Sequence, residues 1–213
     1  MMHPVDVLLV LVLLSVLFAF SSSRLPVLIR ILAFQGVVVS IVPFFLEQEM
    51  TMGGMVFTMV TLGIRGIIIP WSMYSMIKKM GIKRGIETIV GYKASVFASL
   101  LLIVAAPILS QKFNLTAVSG GTLITSTAIT LVVAGMFLLM ARRNALAMVL
   151  GYIMMENGIY LIGTALSADA QHIVEFGILL DVLAGVMIMA IMLQSINQKY
   201  DNLDTAQLRK LKE

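Results

Sequence analysis

Apolar residues run along this chain in long blocks separated by short polar turns. The blocks cover roughly 4–21, 25–46, 53–77, 92–110, 120–141, 145–166 and 172–197. Each is close to the ~20 residues that a helix needs to cross ~30 Å of hydrocarbon. Each is also far longer than a barrel strand of ~9–11 residues, and none shows the strict alternation that a lipid face and a lumen face impose. The pattern predicts an all-α, polytopic membrane helix bundle of about seven transmembrane helices. The first block begins at Val5 without a basic flank and without a small-residue cleavage site, so it reads as the first span and not as a cleaved signal.

Composition narrows the class further. The 213 residues are 60% hydrophobic and 12% charged, against about 45–50% and 25% in soluble domains. The mean hydropathy is +1.01. A soluble globule is excluded, and no length remains for a separate soluble domain. Cysteine is absent, which removes disulfides, thiolate zinc sites and iron–sulfur clusters. His3 and His172 are the only histidines and fall near helix ends, so a bis-histidine haem is implausible and no redox centre is expected in this chain. His172 and Glu175 stand at i and i+3 like half a metal site, with no further ligands in view. The 17 methionines are scattered through the spans and read as adaptable packing.

Basic residues decide the orientation, because Lys and Arg accumulate on the cytoplasmic side. After spans one, three, five and seven come Arg24 with Arg30, then Lys78, Lys79, Lys83, Arg84 and Lys93, then Arg142 and Arg143, then Lys199, Arg209, Lys210 and Lys212. These are 13 of the 15 basic residues; Lys112 alone lies on the opposite side, and Arg65 lies inside span three. The N-terminus is expected outside and the C-terminus in the cytoplasm. The net charge of +4 follows from this bias, and with basic loops this short nucleic-acid binding is the weaker explanation.

Three local features accompany the spans. The connection from Lys78 to Tyr92 has room for a short interfacial helix. Asp204 and Gln207 are spaced as a capping box for a small cytoplasmic helix over 205–212, the alternative being a solvated tail. Gln35-Gly36 in span two and Asn157-Gly158 in span six sit at comparable depths, each after a short basic turn. Spans one to three and five to seven therefore read either as parallel repeats or as a coincidence of one dipeptide.

A charge at the bilayer centre costs at least ~2.5–3.5 kcal/mol, so intramembrane ionisable groups face protein or water and usually act. Four stand out: Arg65, Glu156, Glu175 and Asp181. Glu156 lies about 16 Å beyond Ala145, Asp181 is again near mid-depth, and Glu175 is close to the outer interface. Glu175 and Asp181 are separated by roughly 9 Å of rise and 120° of rotation, which makes them successive stations on a hydrated path and not a close dyad. A carboxyl there handles protons or makes a structural hydrogen bond; at the interface Glu175 has the further option of snorkelling. Arg65 cannot deprotonate and serves as a fixed charge. Thr58, Thr61 and Arg65 share a helical stripe that suggests an inward polar face, and Pro70 should kink the helix one turn later. Thr122, Ser126 and Thr130 form an i+4 stripe read first as helix–helix hydrogen bonding and second as lining of a water path.

The last three spans resemble the small three-helix subunit K of respiratory complex I. That family carries Arg-Arg-Asn in its first loop, a Gly seven residues on, a Glu two later and an Asn four beyond; Arg142, Arg143, Asn144, Gly151 and Asn157 fall on those places. Ile153 occupies the Glu position, and Glu156 is the nearest acid, one turn along. Asp181 and Gly185 reproduce the acid-to-Gly spacing of the family's third helix, and Asn202-Leu203-Asp204-Thr205 resembles its ending. With four further helices in front, Glu156-Asn157-Gly158-Ile159-Tyr160 and the Leu203-Asp204-Thr205-x-x-Leu208 tail, the chain resembles component E of hydrogenase-4 and related membrane-bound [NiFe] hydrogenases.

The resemblance implies a division into a four-helix membrane region over 1–111, a subunit K-like region over 112–200 and a cytoplasmic tail over 201–213. It implies a non-catalytic membrane-arm subunit of the cytoplasmic (inner) membrane, supplying Glu156, Asp181 and Glu175, with Arg65, to a lateral proton path whose polar lining includes Asn157. Partners are then antiporter-like and complex I H-type membrane subunits and peripheral hydrogenase subunits, with NiFe and iron–sulfur centres in those partners and none here. Two other readings stay open: a subunit of a multisubunit cation/proton antiporter, where the same three-helix module occurs, and a structural membrane scaffold.

Overall fold

The computed structural model describes residues 3–46, 52–80, 91–112, 121–142, 145–166, 185–188, 190 and 191. Helix α1 spans Pro4–Ser21, α2 Leu25–Leu46, α3 Met52–Gly63, α4 Ile69–Met80, α5 Tyr92–Lys112, α6 Gly121–Ala141 and α7 Ala145–Leu166. A π-helical turn, Ile64–Ile68, joins α3 to α4 without a break, so the two form one span. Among the described residues six helical stretches are long and apolar enough to cross a membrane, and there are no strands. The chain is a multi-pass helical membrane protein.

The helix ends follow local chemistry. Pro4 opens α1, where its missing N–H costs nothing, and the His3 N–H donates to the Asp6 carboxylate at 3.2 Å. Three serines close α1. Ser22 Oγ then accepts the Arg24 N–H at 3.3 Å, which helps to set the turn into α2. The third span carries its irregularity just upstream of Pro70. A proline at 70 cannot donate to the carbonyl four residues back, Gly66. The π turn ends just before it, with Ile69 N–H reaching Ile64 O, so the distortion is spread over a wider turn upstream of Pro70.

Helices α6 and α7 make the most extensive contact, and glycines allow it. A Cβ at Gly135 would lie 2.5 Å from Met155 N, and one at Gly151 2.8 Å from Leu139 N. One at Gly158 would lie 2.8 Å from Ala128 O. Backbones this close gain dispersion contacts that lipid cannot supply, which is why small residues mark membrane helix interfaces. Helix α2 packs on α7, and α1 packs on α2, α5 and α6. Helices α1, α2 and α5 thus pack directly against α6 and α7. Leu28, Leu32 and Val39 of α2, Leu131 and Leu138 of α6, and Leu150 and Met154 of α7 fill the shared core. Met52, Met59, Ile67 and Trp71 project outward along the third span.

The seventh span, apart from residues 185–188, 190 and 191, lies outside the described residues, as do Glu175, Asp181, His172, the connection over 81–90 and the tail helix over 205–212.

Candidate functional site

The apolar core of the bundle encloses a set of polar side chains at mid-depth. Glu156 is 11 residues into α7, Gln35 is 10 residues into α2 and Ser15 is 11 residues into α1, so each lies about 15–16 Å from its helix start. Arg65 is on the π turn in the middle of the third span. Arg65 is 4% exposed, Glu156 1% and Gln35 0%.

Two of these groups carry opposite charge and meet. Arg65 Nη2 donates to Glu156 Oε1 at 2.7 Å, a short charge-assisted contact. Arg65 Nη1 donates to Asn157 Oδ1 at 3.3 Å. The Arg65 guanidinium carbon also lies 4.4 Å from the centre of the Tyr160 ring, one turn after Glu156, so a cation–π contact covers part of the cation. The α7 segment Glu156–Tyr160 therefore presents a carboxylate, an amide and an aromatic face to one guanidinium. Desolvating a cation in hydrocarbon is expensive, and this set of partners offsets that cost.

The contacts continue away from Arg65. Asn157 Nδ2 donates to Gln35 Oε1 at 3.4 Å, Gln35 Nε2 donates to Ser15 Oγ at 2.9 Å, and Ser15 Oγ donates to Val12 O at 2.5 Å. The donors point one way, from the guanidinium through two amides and a hydroxyl to a carbonyl. Amide N–H groups do not exchange protons as a carboxyl does, so this limb fixes the position of Asn157 and Arg65 and does not relay protons. Glu156 is the carboxyl of the cluster, the group whose chemistry would allow proton exchange at ordinary pH. The arrangement ties four spans together: α1, α2, the third span and α7.

Gly36 completes the seat. A Cβ on it would lie 3.2 Å from Arg65 Cβ, and one on Gly66 would lie 2.8 Å from Val37 Cγ2. The third span thus sits closely on α2 where Arg65 leaves its backbone. On the other side, Arg65, Pro70 and Ile153 line a small void of about 10 Å³, at the lower bound for one water. Ile153, the residue in the Glu position of the resembled family, therefore faces the same guanidinium region as Glu156.

Several expected site residues are placed differently from one another. Thr61 is buried and Thr58 half-buried along the third span. Among the described residues the Ser126 and Thr130 hydroxyls donate within their own helix: Ser126 Oγ to Leu123 O at 3.0 Å and Thr130 Oγ1 to Ser126 O at 2.8 Å. A hydroxyl in an apolar helix reaches its own carbonyls three or four residues back more easily than a neighbouring helix. Thr122 begins the same helix, and its side chain lies outside the described set. Past the end of α6, Arg142 is buried, its guanidinium pKa is lowered from the ordinary value by that burial, and its Nη1 has no hydrogen-bond partner among the described residues.

Gln35, Ser15 and Tyr160 join the site without having been expected there. Gln35 had a signal in the shared dipeptide, since Gln35-Gly36 and Asn157-Gly158 prove to touch through their amides. Ser15 and Tyr160 had none, because a serine in an apolar helix usually bonds its own backbone and a tyrosine usually packs.

The fold and cluster define a helical membrane protein with, among the described residues, one buried cation–carboxylate pair, and its C-terminal region has known relatives. Residues 123–213 match the family described as NADH-ubiquinone/plastoquinone oxidoreductase chain 4L. The match contains Gly151, Ile153, Glu156, Asn157, Asp181 and Gly185. The chain is 25% identical to an uncharacterized protein of Mycobacterium tuberculosis over 208 residues, 95% of this chain and 93% of that protein. It is 33% identical over 78 residues to hydrogenase-4 component E of Escherichia coli and of Shigella flexneri, which is 37% of this chain. That match spans only 36% of component E. No solved structure matches the chain.

Proposed function

We propose that the chain is a membrane-arm subunit of a complex I-like, hydrogenase-4-type assembly of the cytoplasmic membrane, and that Glu156 is a working carboxylate on its proton path. The observation that carries this reading is the 2.7 Å contact between Arg65 and Glu156, of which Glu156 lies inside the region that matches the chain 4L family. A proton arriving at Oε1 competes with Arg65 for the same oxygen. The guanidinium keeps its charge throughout, so protonation weakens the pair and frees Arg65 to shift on its π turn, a geometry frequent at functional positions in helices. Asp181 and Glu175 extend the path along the seventh span.

In this reading the chain carries no catalytic group. Electron transfer and hydrogen chemistry belong to NiFe and iron–sulfur centres of peripheral partners, and pumping to antiporter-like and complex I H-type membrane partners. Purification of the tagged chain from native membranes under mild solubilisation tests the assignment. Antiporter-like, complex I H-type and peripheral hydrogenase subunits should co-purify in fixed proportion. Recovery with cation/proton antiporter subunits alone, or as a solitary protein, overturns it.

A further inference from the structure

Outside the buried cluster, the α1–α2 hairpin carries a groove on its outer surface. Its walls are Leu11, Leu14, Phe18, Val27, Ile31 and Phe34, and it encloses about 370 Å³. A second depression of about 450 Å³ shares Phe18, Val27 and Ile31 with it and opens at Ser21–Arg24. The two are continuous. Arg30 lines the first and Arg24 the second. Both arginines are exposed, and among the described residues neither is in an ion pair.

We infer that this groove binds one anionic phospholipid of the leaflet on the Arg24 side, its phosphate held by Arg24 and Arg30 and one acyl chain laid along the apolar walls. Length is the first argument. From Ser22 to Leu11 the groove runs 11 residues, about 16 Å, which is close to half of the ~30 Å hydrocarbon core and so to one leaflet. Charge is the second. Arg30 lies six residues past Arg24, about 9 Å deeper, where an exposed cation is costly unless its long stem carries the head back toward the surface. Extended toward the surface, the Arg30 side chain approaches the level of Arg24, so that the two cations flank one apolar trough. A phosphodiester satisfies both.

The groove also meets the buried cluster. Ser15, the acceptor for Gln35, lies on its floor. An acyl chain in the groove covers the outer end of the polar limb and keeps water from it.

The test is phospholipid binding to the purified, delipidated full chain in detergent, read by native mass spectrometry. Phosphatidylglycerol should bind as a single saturable copy and more tightly than phosphatidylcholine of the same acyl composition. Arg24→Gln and Arg30→Gln should each weaken phosphatidylglycerol binding about fivefold and together about thirtyfold. Lys78→Gln, an exposed basic residue on another helix, should leave it unchanged. Val27→Trp, which fills the trough, should weaken both lipids while the thermal melt stays at the parent value. Glycerol phosphate without acyl chains should not compete.

Parent-like binding by the double arginine variant overturns the site. Competition by glycerol phosphate as effective as by the lipid would reassign it to free phosphate esters. A photocrosslinker at position 27 that captures a polypeptide and no lipid in intact membranes would assign the groove to a protein partner.

Discussion

Gly36 lies directly against Arg65: a side chain at position 36 would begin 3.2 Å from Arg65 Cβ and 3.5 Å from its carbonyl oxygen. The guanidinium is aimed at α7 because the backbone that carries it sits tightly on α2. A shift of the third span would carry the cation away from Glu156 before any change in Glu156 itself.

Gly36→Ala requires only a few tenths of an ångström of accommodation and should leave the protein assembled. Gly36→Leu must push the third span off α2 and should lower thermal stability by about 1–3 kcal/mol, the usual range for overpacking. Melting curves of both variants in detergent check the difference. Equal stability of the two would mean that the third span is free to move at this level.

Removing one partner of a buried ion pair leaves the other uncompensated, at about 3–5 kcal/mol. Arg65→Leu alone should therefore destabilise the protein more than Arg65→Leu combined with Glu156→Leu. A double-mutant cycle on thermal or denaturant stability measures the coupling. Additive effects would show that the two groups do not depend on each other.

The orientation is checked by labelling. A cysteine in place of Lys83 should react with a membrane-impermeant maleimide only from the cytoplasmic face, and a cysteine in place of Glu49 only from outside. The basic-residue bias predicts this order, and the reverse pattern would invert it.

Asp181→Asn retains size and hydrogen bonding but cannot titrate. In an assembled complex it should reduce coupled proton translocation strongly, and Glu175→Gln should reduce it less because water can replace a carboxyl near the interface. Proton uptake into inverted vesicles measures both. Full pumping by Asp181→Asn would make that residue structural.

The spans are legible where apolar length and punctuation agree. Pro4 and the serines after Phe20 bound α1, and the polar Arg-Arg-Asn sequence at 142–144 falls between the end of α6 and the start of α7, so those limits follow from sequence. The third span is legible in length but not in form. Pro70 announces a distortion, yet whether it takes the form of a kink or of a wider turn upstream depends on how the helix rests on α2. Depth places Arg65 and Glu156 at the same level. Their pairing is not readable, because 91 residues separate them and helix rotation is set by packing at Gly36, Gly135 and Gly151. Gln35 escapes because attention to ionisable groups passes over a neutral amide, although a buried amide also requires partners. In the stripe of Ser126 and Thr130 the hydroxyls donate to carbonyls of their own helix, a local bond that a periodic polar face does not announce.

The central claim is that a carboxyl facing Arg65 at mid-depth does the work, whichever residue supplies it. Positions 153 and 156 differ by about 4.5 Å of rise and about 60° of rotation, and Ile153 borders the void beside Arg65. Proton translocation by the assembled complex should fall on Glu156→Gln and recover in part in Ile153→Glu with Glu156→Ile. An assembled double variant that pumps no better than Glu156→Gln would contradict the account.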